Sequence, residues 1–205
     1  MQADNLRAVC LVVSLSFHCT TRQTAHKLRL TAALGFKQMR PDIYRVKEIG
    51  SGFLAIMAKP VSGEFIEDEF QGIAREGINR IVSLLEPHEE YAVGLSNESD
   101  LSNRNGIDFV SHPIVDRSLP SSLPKFCGLI SSIHSGIQSG TNTVVHCRAG
   151  IGRAGIVVAS VLVRSGMDAE SAFALVSEKR GVSVPDTEEQ LNWVVAHQKA
   201  LREAT

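Results

Sequence analysis

The sequence predicts an α/β domain with a central, mostly parallel sheet flanked by helices. From Pro41 onward, short β-branched apolar runs alternate with segments of helical periodicity, and the connections between them are short. In addition, the run at residues 143–146 passes directly into a glycine-containing turn and a helix. A chain of 205 residues is long enough for one domain with a sizeable core. We expect that domain at residues 41–205 and an N-terminal extension at residues 1–40.

Four strands are predicted from short apolar runs that end at turn-forming residues. They are residues 52–58, 79–85, 107–114 and 143–146. Six helices are predicted from apolar residues at helical spacing, from polar runs and from capping residues. They cover residues 65–74, 89–103, 126–137, 153–164, 168–179 and 187–201. The β-branched composition of the last strand favours a position at the centre of the sheet.

Composition and charge narrow the range of partners. The formal net charge is −1 and both signs of charge are dispersed, which argues against nucleic acid or an anionic membrane as a partner. The apolar run at residues 8–17 is too short to span a bilayer. It could be the core of a signal peptide, but Asp4 precedes it and no small-residue cleavage site follows. We therefore expect a cytoplasmic protein, with secretion as the alternative, and the sequence defines no oligomeric state.

The number and spacing of the cysteines indicate the redox compartment of the protein. Cys10, Cys19, Cys127 and Cys147 form no CxxC pair and are too few for a disulfide framework, which fits a reducing compartment. Cys127 is expected to be a small buried apolar residue. No His and Asp cluster has the spacing of a metal site, so neither a metal nor another cofactor is predicted.

The turn after the last predicted strand contains the candidate catalytic and anion-binding residues. It reads His146-Cys147-Arg148-Ala149-Gly150-Ile151-Gly152-Arg153. A helix N-terminus offers unpaired N–H groups and a partial positive charge, so a tight loop there binds anions. Gly150 and Gly152 allow the backbone to fold inward, and Arg153 can clamp two phosphate oxygens. The same field stabilises the thiolate of Cys147 for attack on phosphorus. The predicted phosphate-binding residues are Arg148, Ala149, Gly150, Ile151, Gly152 and Arg153.

His146, Cys147 and, after five intervening residues, Arg153 form a known pattern. This run resembles the signature of the cysteine-dependent protein tyrosine phosphatase superfamily, and the small chain with a short acid loop is similar to its dual-specificity branch. The resemblance covers residues 41–201 in layout and is most specific over residues 144–155. It implies a phosphatase-type fold and hydrolysis of a phosphorylated protein, or of another phosphoester, through a phosphocysteine intermediate. His146 is expected to support the loop, because strand alternation points its side chain away from Cys147.

A general acid is needed to protonate the leaving group. Asp116 is the predicted acid because its short loop leaves the C-terminal end of predicted strand 107–114, the edge where α/β sites gather. In the phosphatase superfamily the acid occupies the equivalent loop. Asp108, inside the strand, and His112 are the alternative acids. Asp116 could also simply start a turn or pair with Arg117.

Two positions differ from the superfamily pattern. The residue after the signature arginine is usually Ser or Thr, whose hydroxyl helps the cysteine leave in the second chemical step, whereas this chain has Ala154. Loss of one hydrogen bond to the departing thiolate is expected to slow that step by about 5- to 150-fold. Gln190 is similar to a glutamine that positions water in some relatives, but its spacing differs, and we expect a solvated helix position instead.

Other functions fit part of this pattern. A pseudophosphatase would bind phosphate through Arg153 without turnover, but Cys147 and Asp116 are both present. A sulfur-transfer enzyme of the rhodanese type also has a cysteine loop at a helix start, but the five-residue spacing favours phosphate. An interaction domain could dock through polar residues 86–105. The acid loop has no Trp, which favours a broad or dual-specificity pocket and keeps phosphoinositides and nucleotide phosphates as alternative substrates.

Overall fold

The computed structural model describes residues 40–203 of the chain. The predicted extension falls outside them except for Arg40, and so do Cys10, Cys19 and the apolar run at residues 8–17. This range contains five strands: β1 Tyr44–Ile49, β2 Gly52–Met57, β3 Arg80–Ser83, β4 Asp108–Ser111 and β5 Thr143–His146. The helices of the described range are α1 Ile66–Arg75, α2 Pro87–Ala92, α3 Glu98–Arg104, α4 Leu123–Gln138, α5 Gly152–Arg164, α6 Ala169–Arg180 and α7 Glu188–Glu203.

The strands form one mixed sheet in the order β1-β2-β5-β3-β4. β2, β5, β3 and β4 are parallel to one another, and β1 pairs antiparallel with β2. β5 lies at the centre between β2 and β3, and all four of its residues are buried. The prediction of an α/β domain with a mostly parallel sheet and a central strand at residues 143–146 is therefore confirmed.

Strand β1 is the element that the sequence patterns do not predict. Only Val46 and Ile49 of its six residues are buried, because β1 is an edge strand. A register shift between Arg45 and Lys47 also interrupts the alternation of side chains that marks a strand. The hairpin to β2 turns at Gly50, whose φ of 61° lies in the left-handed region that favours glycine.

The single helix predicted at residues 89–103 is wrong, because two short helices occupy this region. α2 ends at Ala92, and Gly94 then takes a φ of 72°, which turns the chain before α3 begins at Glu98. Leu95, between the two helices, is fully buried. A polar run with one internal glycine does not distinguish one helix from two, whereas the buried leucine fixes the turn against the domain.

Side chains of each buried strand alternate between two apolar clusters, as the period of a strand requires. In β2, Leu54 and Ile56 face a cluster formed with α4, α5, α6 and α7. Phe53, Ala55 and Met57 face a second cluster formed with α1 and α3. The sheet is therefore covered by helices on both faces, and no helix among residues 40–203 is both long and apolar enough to cross a membrane.

Helix α5 is the most enclosed helix of the described range. Every residue from Gly152 to Val163 is buried, and the helix packs against α4, α6, α7 and the sheet. Gly155 permits a close approach, because a side-chain carbon added there would collide with Cγ1 of Val184. The N-terminus of this helix therefore occupies a fixed position directly after β5.

Candidate active site

The carboxyl ends of the parallel strands lie along one edge of the sheet, and the candidate active site is a cavity at that edge. β5 leads into residues 147–151 and then α5, and β4 leads into the loop that contains Asp116. The cavity has a volume of about 280 Å³. Its lining residues are Asp116, Arg117, Cys147, Arg148, Ala149, Arg153 and Asp186. The structure thus brings Asp116 together with Cys147 and Arg153, which follow it by 31 and 37 positions in the sequence.

The loop after β5 turns its carbonyl groups outward. The backbone N–H of Lys59 donates to the carbonyl of Arg148 at 3.3 Å. Arg180, at the end of α6, donates from Nη2 to the carbonyl of Ala149 at 3.1 Å and from Nε to that of Gly150 at 3.3 Å. Because a trans peptide points its C=O and N–H in opposite directions, these contacts turn the following N–H groups inward. Inward-pointing N–H groups at a helix N-terminus form an anion cradle.

Gly150 is required by the shape of this loop. Its φ is 68°, a conformation that residues with a side chain rarely adopt. A Cβ atom at this position would also collide with the carbonyl oxygen of Met57 and would lie 2.7 Å from the nitrogen of Ala58. The loop therefore packs backbone to backbone against the end of β2, which only glycine permits.

Cys147 and His146 lie at the end of β5 and belong to different sides of the sheet. Cys147 is a free thiol, 3% exposed, and contacts the cluster that includes α5. The fully buried His146 has Nε2 at 2.9 Å from Oε1 of Glu98 in α3, which packs on the opposite face. Its Nδ1 lies 3.3 Å from the carbonyl oxygen of Cys147. This geometry agrees with the expected direction of the His146 side chain and adds Glu98, which the sequence patterns do not identify.

Arg153 is held by a carboxylate that the sequence patterns do not identify. Glu89 of α2 accepts hydrogen bonds from Nη1 at 2.6 Å and from Nη2 at 2.9 Å, a bidentate arrangement. Nη1 also donates to the carbonyl of Ile114 at 2.9 Å. Nη2 lies 2.8 Å from Oδ1 of Asp116. A buried arginine requires a carboxylate partner, so the presence of such a residue is predictable, but its position in the sequence is not.

The two carboxylates beside Arg153 differ in exposure and therefore in what they can do. The Glu89 side chain is 5% exposed and that of Asp116 is 58% exposed. Hydrogen bonds from the Arg153 guanidinium hold the pKa of Glu89 below its ordinary value, so Glu89 is ionised at neutral pH. Glu89 thus fixes the plane of the guanidinium, whereas Asp116 is the partner that an incoming phosphate can displace.

The two alternative acids lie outside the cavity lining. Asp108 pairs with Arg80, with Oδ2 at 2.7 Å from Nε. His112 lies against the ring of Phe126, with 6.4 Å between ring centroids, and burial lowers its pKa. A histidine with a lowered pKa is neutral at pH 7 and has no proton to donate as an imidazolium. Of the three candidates, Asp116 is the one that shares a cavity with Cys147.

The remaining loop residues, Ala154 and Gln190 differ in how far they are buried. Arg148 and Ala149 are exposed, and Ile151 packs against the main apolar cluster. Ala154 is fully buried in that cluster. The expectation of a solvated helix position for Gln190 is wrong, because Gln190 is 0% exposed and approaches Gly152.

The family follows from a comparison with known protein families. A family model described as Tc-R-P, polymorphic toxin system, DSP-PTPase phosphatase, matches residues 55–167, more than half of the chain. The chain belongs to this family. The match contains the strands β3, β4 and β5, the Asp116 loop and the Cys147 loop. The resemblance to the dual-specificity-like branch of the cysteine-dependent tyrosine phosphatases is thereby confirmed, and the chain is a cysteine-dependent phosphatase.

Individual relatives are similar to this phosphatase over different lengths. The phosphatidylinositol 3,4,5-trisphosphate 3-phosphatase and protein-tyrosine-phosphatase PTEN1 of Arabidopsis thaliana is 38% identical over 82 residues. This match covers 36% of the phosphatase but only 19% of the plant protein. The phosphatase therefore spans a small part of that relative.

Solved structures share the fold of the phosphatase. The crystal structure of kinase associated phosphatase, with its catalytic-site cysteine replaced by serine, has a TM-score of 0.73 and 21% identity, covering 82% of the phosphatase and 99% of that chain. The structure of Tk-PTP in the active form has a TM-score of 0.62 and 25% identity, covering 82% of the phosphatase and 100% of that chain. The phosphatase-type fold is confirmed by these similarities.

Removal of the Arg180 side chain tests the outward orientation of the loop carbonyls. We expect Arg180→Ala to lower kcat/KM for p-nitrophenyl phosphate by roughly 10-fold and to weaken vanadate inhibition similarly, because two charge-assisted hydrogen bonds to the loop are lost. Lys179→Ala is the matched control, since the one ion pair of Lys179 within residues 40–203 is with its neighbour Glu178. Equal vanadate inhibition of the Arg180→Ala variant and the wild type would contradict a role for Arg180 in shaping the loop.

Proposed function

We propose that this phosphatase hydrolyses phosphate monoesters in two steps, with Cys147 as the nucleophile, Asp116 as the general acid and Arg153 as the phosphate clamp. The observation that carries the proposal is their shared position in one cavity of about 280 Å³ at the N-terminus of α5. A cavity of this size accepts a phosphate group and the first atoms of its ester. The proposed phosphate site also includes the inward-pointing backbone N–H groups of Arg148, Ala149, Gly150, Ile151 and Gly152.

The first step transfers the phosphoryl group to sulfur. The Cys147 thiolate attacks phosphorus, the P–O bond to the leaving group breaks, and Asp116 gives its proton to the departing oxygen. Loop N–H groups and the Arg153 guanidinium stabilise the charge on the three equatorial oxygens. Two features of the guanidinium support this role: Glu89 already fixes its plane, and the exposed Asp116 is the partner that leaves Nη2 when phosphate binds.

The second step hydrolyses the phosphocysteine. Water attacks phosphorus and gives a proton to the Asp116 carboxylate that the first step leaves, the P–S bond breaks, and Cys147 leaves as a thiolate stabilised by the N-terminus of α5. Ala154 supplies no hydroxyl to this leaving group and is fully buried. We therefore expect the second step to be slower than the first with activated aryl phosphates.

The substrate class that we favour is phosphorylated protein, with dual specificity for the phosphorylated residue. Membership of a DSP-PTPase family and the exposed rim residues Arg117 and Arg148 support it, since an open, charged mouth does not require an aromatic substrate. A phosphoinositide is the second candidate, and the 38% identity to the plant PTEN1 over 82 residues supports it. The thiolate requires a reducing compartment, which supports a cytoplasmic site of action.

The removal of Asp116 tests both the mechanism and the substrate. Wild-type protein is expected to release phosphate from p-nitrophenyl phosphate in a vanadate-sensitive reaction. We expect Asp116→Ala to lower kcat for alkyl phosphates by about 10²- to 10⁴-fold while substrate still binds, because the leaving group then departs without a proton. Asp108→Ala, which removes a carboxylate outside the cavity, is the matched control.

The Asp116→Ala variant then serves as a trap for the substrate. Retention of phosphopeptides would support a protein phosphatase, and retention of vesicles containing phosphoinositides would support the second candidate. Hydrolysis that is insensitive to vanadate, or equal rates for Asp116→Ala and Asp108→Ala, would overturn the proposed mechanism.

A further inference from the structure

A second cavity, which we call the β2 cavity, lies at the end of strand β2 and has no role in the two-step mechanism. Its volume is about 300 Å³. Its lining residues are Arg40, Pro41, Asp42, Met57, Ala58, Lys59, Val61 and Glu69. The active-site cavity shares none of these residues. The β2 cavity is therefore a separate site, and its chemistry is set by its own side chains.

The β2 cavity adjoins the loop that contains the nucleophile. The backbone N–H of Lys59 donates to the carbonyl of Arg148 at 3.3 Å, and a Cβ atom at Gly150 would collide with the carbonyl oxygen of Met57. The end of β2 thus lines one site and supports the other. Neighbouring strands such as β2 and β5 lie about 4.8 Å apart, and an extended peptide advances about 3.4 Å per residue. A substrate bound at Cys147 therefore reaches the β2 cavity within about two to four residues.

Glu69 is a buried carboxylate that lines the β2 cavity. It belongs to α1 and is 3% exposed. Its Oε1 accepts a hydrogen bond from the backbone N–H of Val61 at 3.2 Å, whereas Oε2 accepts none from residues 40–203. Burial raises the pKa of Glu69, and the nearby Asp42 adds to the rise. A buried carboxylate without a cation is costly, and a cation that enters the cavity removes this cost.

The two cationic side chains of the β2 cavity do not pair with Glu69. Arg40 approaches Glu76 instead, with Nε 4.0 Å from Oε1, and its side chain is 87% exposed. Lys59 directs Nζ to the carbonyl oxygen of Pro60 at 3.4 Å. Its charge lowers the pKa of Glu69, but no carboxylate of the described range lies within 4.0 Å of Nζ. The position in contact with the Glu69 carboxylate is therefore open to a cation from outside.

The other walls of the β2 cavity are mostly aliphatic. Pro41, Met57, Ala58 and Val61 line it beside the Glu69 carboxylate. Lysine and arginine side chains have this same combination, because an apolar methylene stem carries a charged head group. A cavity of about 300 Å³ is at the lower end of the range for ligand pockets, which suits one long side chain. The lining therefore fits a basic side chain in both shape and charge.

We propose that the β2 cavity is a specificity subsite that binds a lysine or arginine side chain of the phosphorylated protein substrate. Glu69 is the ion-pair partner of this side chain, and the exposed Asp42 is a second carboxylate beside it. The inference rests on the proposed protein phosphatase function and names a feature that its substrates share. The basic residue lies about two to four positions from the phosphorylated one. Because this contact is remote from phosphorus, the preference should appear in KM more than in kcat.

Phosphotyrosine peptides that differ at one residue test this subsite. Lysine is compared with norleucine, which has a similar length and no charge, at each of the four positions before and after the phosphotyrosine. We expect one position at which lysine raises the kcat/KM of the wild type by about 10-fold, as a charge-assisted hydrogen bond does. In Glu69→Gln the ratio between the two peptides should fall to about 1–2. Asp68→Asn is the matched control, because Asp68 is an exposed acid next to Glu69 and does not line the β2 cavity.

The ratio compares two peptides on one protein preparation, so a variant that is partly unfolded gives the same ratio. A wild type that prefers lysine at no position, or a Glu69→Gln ratio equal to that of Asp68→Asn, overturns the inference while the phosphocysteine mechanism stands. Vanadate-sensitive hydrolysis of p-nitrophenyl phosphate without hydrolysis of any phosphopeptide overturns the protein substrate and the subsite together. If the wild type hydrolyses neither compound, the proposed function itself fails.

Discussion

Replacing Cys147 with serine is expected to reduce phosphoester hydrolysis to background, a loss of about 10⁶-fold in kcat. A serine hydroxyl is a weak nucleophile unless a base removes its proton, and no histidine lines the cavity beside residue 147. The change from sulfur to oxygen is small, so the loop and Arg153 should still bind phosphate. The measurements are steady-state hydrolysis of p-nitrophenyl phosphate and calorimetric titration with inorganic phosphate.

Cys127→Ser is the control for this substitution. Cys127 is also a free, buried cysteine, but its Sγ lies 4.0 Å from the carbonyl oxygen of Ala200 and it does not line the cavity. We expect this variant to keep wild-type kcat. Activity that survives in Cys147→Ser, or that disappears equally in Cys127→Ser, would exclude Cys147 as the nucleophile.

Arg153→Lys is expected to have the second-largest effect, lowering kcat/KM by about 10²- to 10³-fold although the positive charge is kept. Lysine presents a point charge, whereas the guanidinium meets Glu89 with two parallel hydrogen bonds and also places Nη2 2.8 Å from Oδ1 of the cavity residue Asp116. The loss should appear in kcat as well as in KM, since the planar contact to the equatorial oxygens matters most in the transition state. A variant with wild-type kcat and only a raised KM would show that charge alone is needed.

The ion pair between Glu89 and Arg153 also contributes to stability, so unfolding provides a second measurement of how firmly Arg153 is held. Breaking a buried ion pair by neutralising one partner costs about 3–5 kcal/mol, so Glu89→Gln should lower the free energy of unfolding by that order at pH 7. Folding lowers the pKa of Glu89, and its contribution is therefore complete above the ordinary value of 4.5. The difference between wild type and Glu89→Gln should shrink as the pH falls through the lowered pKa. Urea unfolding across this pH range measures it.

Local patterns predict the centre of this protein well. The strand at residues 143–146, the glycine-containing turn and the helix after it are encoded by consecutive residues, and Gly150 occupies a backbone conformation that requires glycine. Asp116 is predictable because α/β sites form at the carboxyl ends of strands. What these features share is that each depends on residues close together in the chain.

Residues that act through distant contacts are not predictable in this way. Glu89 and Arg153 are 64 positions apart, and nothing in the polar run around Glu89 distinguishes it from its acidic neighbours. Asp186 reaches the cavity only because the loop between α6 and α7 folds back over Gly152. Gln190 resembles a solvated helix residue in the sequence, and its burial results from the packing of α7 against α5. These positions are set by tertiary packing, which hydrophobic periodicity does not predict.

Because α5 is buried, substitutions in this helix and substitutions in the loops around the cavity have different effects. Its side chains are enclosed from Gly152 to Val163, so a change of volume there disturbs the core and reaches the catalytic loop through the helix N-terminus. Exposed cavity residues such as Arg117 and Asp186 lie on connecting loops, where substitutions disturb little packing. Under the proposed mechanism, selection for a new substrate can therefore act on the loops around the cavity while the Cys147 loop stays constant. The core would then preserve the reaction while the exposed loops change what is bound.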